Sequence, residues 1–241
     1  MIAVASLIVL IAVIAFSAVT KKNAGVVGLV AAYIFSIAAA KCGTEINVSK
    51  VVTGNWPTSV FFIVLATTFL FGIATLNGTT QALSKNIVCL ARGNAKILPV
   101  IFFLFGAIIS AAGAGGLIVA VIMPIALFVA VENGISVLLG GLHPKKMENA
   151  AAPHFTGFDK NQTLTLAAIL VVLIGVIFFG QNIGLISFAC AGVLLMLGAV
   201  DQKKAIAAVP WSTIILICGM SVLISVVNTC GGIAFLSDGL E

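Results

Sequence analysis

Ser110 is followed by Gly113, Ala114, Gly115 and Gly116 in the middle of an apolar stretch from Ile97 to Val131. Glycines at such a place let the backbone turn, and a broken helix exposes N–H groups that attract an anion. Thr67, Thr68 and Ser221 put hydroxyls into two other apolar runs. No run contains Asp, Glu, Lys or Arg, so there is no proton-relay carboxylate and no buried counter-charge. An anionic ligand would then be held by backbone N–H groups at helix ends, with the hydroxyls of Thr67, Thr68, Ser110 or Ser221. The competing use of the hydroxyls is to bond back to their own helix carbonyls or to bridge neighbouring helices. The competing use of the glycines is close helix packing.

Other chemistry finds less support. His143 and His154 sit beside Pro144 and Pro153 without a nearby cysteine or paired carboxylate to complete a metal site. Cys42, Cys89, Cys190, Cys218 and Cys230 are scattered, with no C-x-x-C spacing. The Gly113 cluster lacks the lysine of a phosphate-binding loop, and no G-x-G-x-x-G precedes a helix. No nucleophile is paired with a base inside a run, which argues against an enzyme. The net charge of +5 reflects basic loops rather than a nucleic-acid surface.

The elements that must carry these residues are set by composition. The chain of 241 residues is 61% hydrophobic and 8% charged, where a soluble domain has roughly 25% charged residues. Its apolar runs are each about 16 to 20 residues long, enough to cross a hydrocarbon core of about 30 Å. A polytopic, all-α integral membrane protein follows. A soluble helical core would need polar helix faces, and these runs have none. The first run, Leu7 to Val19, is not read as a signal peptide, because Lys21 and Lys22 follow it instead of preceding it.

The pattern is also written twice. Runs at Leu7–Val19 and Ala24–Ala40 return as Leu164–Gly180 and Ile183–Val200. Each copy continues with a short polar stretch, a proline beside a tryptophan, and a third run. At one constant offset Pro57 meets Pro210, Ser59 meets Ser212, Thr68 meets Ser221, Gly78 meets Gly231 and Ser84 meets Ser237. Thr163 is placed to cap the first helix of the second copy, and Pro57 and Pro210 stand at helix starts. Duplicated hydrophobic units of this kind build many secondary transporters.

Charge placement orients the copies. As one straight helix Ile97–Val131 would extend about 52 Å, so it must break, and the Gly113 cluster is where. If the stretch enters and leaves by one side, that face holds Lys21, Lys22, Lys85, Arg92, Lys96, Lys145, Lys146, Lys160, Lys203 and Lys204, and the other only Lys41 and Lys50. The positive-inside rule then places the N-terminus outside and inverts the second copy relative to the first. Each arm of the broken stretch has about 15 residues, which suits a re-entrant hairpin, with a pair of short spans as the alternative. Asn77 to Lys96 interleaves apolar and basic residues and reads as a helix lying in the cytoplasmic interface, anchored to acidic lipid headgroups. Trp56 and Trp211 read as interface anchors.

Three segments carry a family resemblance: Val27–Ser36 (VGLVAAYIFS), Thr68–Asn77 (TFLFGIATLN), and Ala91–Phe103 (ARGNAKILPVIFF) followed by Ile109–Gly113 (ISAAG). Their ordered succession resembles the N-terminal region of MatC-type malonate and dicarboxylate carriers, in the ion-transporter superfamily that includes the divalent anion/sodium symporters. The resemblance covers Leu7 to about Gly134 best, and Thr163 to Ser237 more loosely. It implies an inverted-repeat secondary-transporter fold with re-entrant helical hairpins. It also implies uptake of malonate-like or succinate-like dicarboxylates across a bacterial-type cytoplasmic membrane, coupled to Na+ or H+.

Against the family's pattern, two spans are missing before Leu142–Lys146, and the second copy stops after its third span. The expected organisation is a first membrane repeat over 1–141, a cytoplasmic linker over 142–163 and an incomplete second repeat over 164–241. The substrate-binding residues expected are Ser110, Gly113, Gly115, Gly116, Thr67, Thr68 and Ser221, with no metal and no catalytic residue. Partners are a small dicarboxylate anion, the lipid bilayer and, to complete the carrier, a second copy of the chain. The alternative is a transport-incompetent membrane protein acting as a scaffold or assembly partner, whose Gly- and Ala-rich faces supply packing surfaces.

Overall fold

A computed structural model describes residues 2–43, 46–90 and 157–238, together with positions 100, 103, 104 and 155. Every regular element among them is helical. The described chain forms two compact units, the first from Met1–Phe61 and Pro210–Glu241, the second from Phe62–Val209.

The first unit opens with α1 (Ile2–Thr20), whose uniformly apolar sequence leaves Ile8, Ile11, Ile14 and Val19 on the outside, as a lipid-facing helix requires. Lys21 turns the chain with a positive φ of 55°, and α2 (Ala24–Lys41) starts three residues later. Its start is fixed by Asn23, whose Oδ1 accepts the Gly25 N–H at 2.8 Å and so satisfies a donor that the helix leaves unpaired. Gly25, Gly28, Ala32, Ser36 and Ala39 recur at helical spacing and form the buried face of α2. That small-residue face packs against α9 (Trp211–Thr229), which presents Cys218, Gly219, Val222, Leu223 and Val226. The short α3 (Val48–Gly54) packs against α2 and α9, and Asn47 Oδ1 caps it by accepting the Lys50 N–H at 3.0 Å. Trp56 packs edge-on to Phe61 with ring centroids 6.2 Å apart and covers the apolar core of this unit.

The second unit is built from the body of α4 (Thr58–Leu76), α5 (Thr79–Leu90), α6 (Lys160–Phe179), α7 (Ile183–Met196) and α8 (Gln202–Ala207). Leu70 and Ile73 of α4, Val172 of α6 and Leu194 of α7 are large apolar side chains buried in its core. Phe69 and Phe188 join α4 to α7 with centroids 6.1 Å apart. Asn182 starts α7 as Asn23 starts α2, accepting the Gly184 and Leu185 N–H groups at 2.9 and 3.2 Å. Asn182→Ala is expected to cost about 1 kcal/mol, and Asn182→Asp much less, because only the second keeps the accepting oxygen. Thermal unfolding of the purified protein in detergent reads this difference.

Two boundaries differ from the sequence expectation. The first helix of the second half begins at Lys160, and Asp159 precedes it as cap in place of Thr163. The Asp159 carbonyl already accepts the Thr163 N–H at 2.8 Å, and the Gln162 side chain accepts the Asp159 N–H at 3.1 Å, so helical bonding starts a turn earlier. The run expected over Ile183–Val200 is helical only to Met196 and ends at Gly198, whose φ is 73°. Its 14 residues rise about 21 Å, less than a hydrocarbon core. Five segments among the described residues are long and apolar enough to span: Ile2–Thr20, Ala24–Lys41, Val48–Leu76, Lys160–Phe179 and Trp211–Thr229. The chain is therefore an all-helical, polytopic membrane protein.

Candidate functional site

Of the residues expected to bind substrate, Ser110, Gly113, Gly115 and Gly116 lie outside the described residues, as does almost all of the Ile97–Val131 stretch. Thr67 and Thr68 lie side by side on α4, Thr67 buried and Thr68 half-buried. Thr67 Oγ1 donates to the Ile63 carbonyl and Thr68 Oγ1 to the Val64 carbonyl, each at 2.6 Å. A hydroxyl has one proton, so in this state both side chains can only accept further hydrogen bonds, and neither offers a donor to an anion. Ser221 is half-buried on α9 and belongs to the other unit.

The described structure also holds a cluster of buried polar side chains. It surrounds the break between α4 and α5, where Gly78 has a φ of 79°. Asn77 directs its Nδ2 to Thr165 Oγ1 at 2.7 Å and, more weakly, to the Asn161 carbonyl at 3.4 Å. Its Oδ1 accepts from the Thr79 N–H at 3.1 Å and from Thr79 Oγ1 at 2.5 Å, capping α5. Gln162 Nε2 donates to the Asn77 carbonyl at 3.3 Å, and Thr165 Oγ1 to the Asn161 carbonyl at 2.9 Å. Thr79 and Thr165 are fully buried. Because these donors and acceptors satisfy one another, the cluster ties the end of α4 to the start of α6. The sequence signal was the Asn-Gly-Thr-Thr run at the end of an apolar stretch, readable as a turn but silent about its partner more than eighty residues away.

Among the described residues, no three His, Cys, Asp or Glu side chains come close enough to share a metal ion. Buried hydroxyls without a hydrogen-bond partner occur at Ser17 on α1 and Ser187 on α7. Each carries a desolvation cost that a hydrogen bond would relieve.

Neither curated proteins nor solved structures match this chain. Residues 1–152 match the family described as the N-terminus of the dicarboxylate carrier protein MatC. That stretch is more than half of the chain and includes α1 to α5. Long apolar spans, and a match that begins at the first residue and runs through all three early spans, lead to one conclusion: this chain belongs to the MatC dicarboxylate carrier family.

Proposed function

We propose that the chain is a secondary carrier that moves small dicarboxylates of the malonate and succinate class across a cytoplasmic membrane, with its N-terminus outside. The family match over residues 1–152 carries this reading. It favours a carrier over an enzyme and over a passive scaffold. Backbone N–H groups of a re-entrant turn at Ser110, Gly113, Gly115 and Gly116 receive the carboxylates, since a glycine turn lets an anion approach the chain closely. Thr67, Thr68 and Ser221 contribute hydroxyls, the two threonines by giving up their bonds to the helix carbonyls. The dianion is moved together with Na+ or H+, which offsets its charge against the membrane potential. The N-terminus-outside orientation follows from the basic residues that flank the spans.

The test is uptake of labelled malonate and succinate into proteoliposomes containing the purified chain, with and without a Na+ or pH gradient. Saturable, gradient-dependent uptake in which each dicarboxylate competes with the other is expected. Uptake equal to that of empty liposomes, with the protein inserted and folded, would refute the carrier reading.

A further inference from the structure

The two units repeat one another contact by contact, and the repeated contacts cross between the halves of the sequence. In the first unit a methyl group on Gly25 of α2 would run into the Ile215 carbonyl and Leu216 Cα of α9. In the second, a methyl on Gly184 of α7 would lie 3.1 Å from the Phe62 carbonyl and the Ile63 nitrogen of α4. Phe62 and Ile63 stand to Ile215 and Leu216 at the same offset that relates Pro57 to Pro210. The asparagines that cap these helices, Asn23 and Asn182, stand two residues before Gly25 and Gly184 in both cases.

The ends of the third helices match as well. Gly78 after α4 and Gly231 after α9 both adopt left-handed backbone, with φ of 79° and 76°, before a short helix, α5 or α10 (Gly232–Asp238). A methyl on Gly78 would meet Gln162 Nε2 at 3.2 Å, and one on Gly231 would meet Ala3 Cβ at 4.0 Å. Ala3 and Gln162 are related by the same offset as Gly25 and Gly184, and so are the fully buried Ser6 and Thr165. Ser6 packs at the Gly231–Gly232 joint just as Thr165 packs at the Asn77–Gly78 joint.

We infer that the two halves of this chain exchange their third helices. Each unit is a composite in which α1 and α2 of the first half receive α9 and α10 of the second, while α6 and α7 of the second half receive α4 and α5 of the first. The surface that each half presents through its first two helices is thus a seat for the third helix of the other half, with a bare glycine backbone at the crossing. Helix direction follows from the same contacts. Gly25 meets residues 215 and 216 and Gly28 meets Gly219 and Met220, so α2 and α9 run parallel. Gly184 meets residues 62 and 63 and Phe188 meets Phe69, so α7 and α4 also run parallel. A third helix in the seat of its own half would be the next span after α2 or α7 and would run antiparallel to it. Exchange therefore requires the two halves to cross the membrane in opposite senses. This inference does not depend on what the chain carries.

Cysteine cross-linking of the full chain in native membranes tests it, with the five native cysteines replaced by alanine and a protease site placed between residues 142 and 158. Leu29 and Val222 are the repeat equivalents of Phe188 and Phe69. Exchange predicts that Leu29→Cys links to Val222→Cys and Phe69→Cys to Phe188→Cys through a short bifunctional thiol reagent, holding both fragments at monomer mass after proteolysis. The pair Asn23→Cys and Ser212→Cys repeats the first test outside the core, where Asn23 Nδ2 donates to Ser212 Oγ at 2.8 Å. Links from Leu29→Cys to Phe69→Cys and from Phe188→Cys to Val222→Cys in place of these would return each third helix to its own half and overturn the proposal. So would links found only between two differently tagged copies, or no exchange link in membrane-inserted protein.

Discussion

Gly25→Val is expected to separate α2 from α9 and leave no protein that elutes as a single folded species. The position is buried, and the atoms that a side chain would meet are the Ile215 carbonyl and Leu216 Cα, which are backbone and cannot rotate away. The same holds in reverse for Gly219, whose added methyl would run into the Gly25 carbonyl. Ordinary overpacking costs about 1–3 kcal/mol, and a backbone collision should exceed the top of that range, because the helices can relieve it only by moving apart. Within a bilayer the loss is one of van der Waals contact between helices, here along Ala32, Ala39, Val222 and Val226. Gly192→Ala is the counterpart, since nothing lies within 4 Å of an added methyl there. It should be neutral or raise stability by up to about 1 kcal/mol through reduced backbone freedom. Gly25→Ala and Gly219→Ala together should cost less than the sum of the two, because both open the same crossing. Thermal unfolding in detergent measures all five variants, and a Gly25→Val protein that melts with the parent chain would show that the crossing is loose.

That prediction shows what could be read in the sequence and what could not. Most of the apolar runs correspond to spans, with helix ends close to Lys21, Lys41 and Gly180, whereas the run from Ile183 forms a helix too short to cross. The relation of Pro57 to Pro210 and of Gly78 to Gly231 was visible in the sequence, and both glycines adopt left-handed backbone. The meaning of Gly25 and Gly184 was hidden, because a glycine in an apolar helix reads the same whether it faces lipid or another backbone. Their correspondence was obscured further by a connection between the second and third helices that is longer in the first half, where α3 lies, than in the second, where α8 lies. Asp159 and Thr163 are both good cap types, and only the Gln162 side chain, three residues after Asp159, distinguishes them. Of the two uses open to the Thr67 and Thr68 hydroxyls, the described structure holds the bond to the helix carbonyl one turn back.

Asn77→Ala should destabilise the second unit by about 2–3 kcal/mol, more than any single helix cap. One substitution removes the partner of the buried Thr165 hydroxyl, the cap of the Thr79 N–H and the acceptor of the Thr79 hydroxyl. Thr79 and Thr165 are both fully buried, so water cannot replace what Asn77 supplied. Thr165 retains its bond to the Asn161 carbonyl, and Thr165→Ala alone should therefore cost less, about 1 kcal/mol. The double variant Asn77→Ala with Thr165→Ala should fall short of the sum, because the 2.7 Å bond is counted in each single change. Asn77→Asp separates the two roles of the side chain. It keeps the oxygen that caps Thr79 and loses the donor to Thr165. Its stability should therefore lie between those of the parent chain and the Asn77→Ala protein. The first unit supplies the natural comparison, since the repeat equivalent of Asn77 is Cys230, with Ser6 and Gly232 in close approach. There the joint is held by packing alone, so Cys230→Ala should cost no more than the loss of a small apolar group, about 1 kcal/mol. Equal losses for Asn77→Ala and Cys230→Ala would mean that the polar cluster contributes nothing beyond its volume.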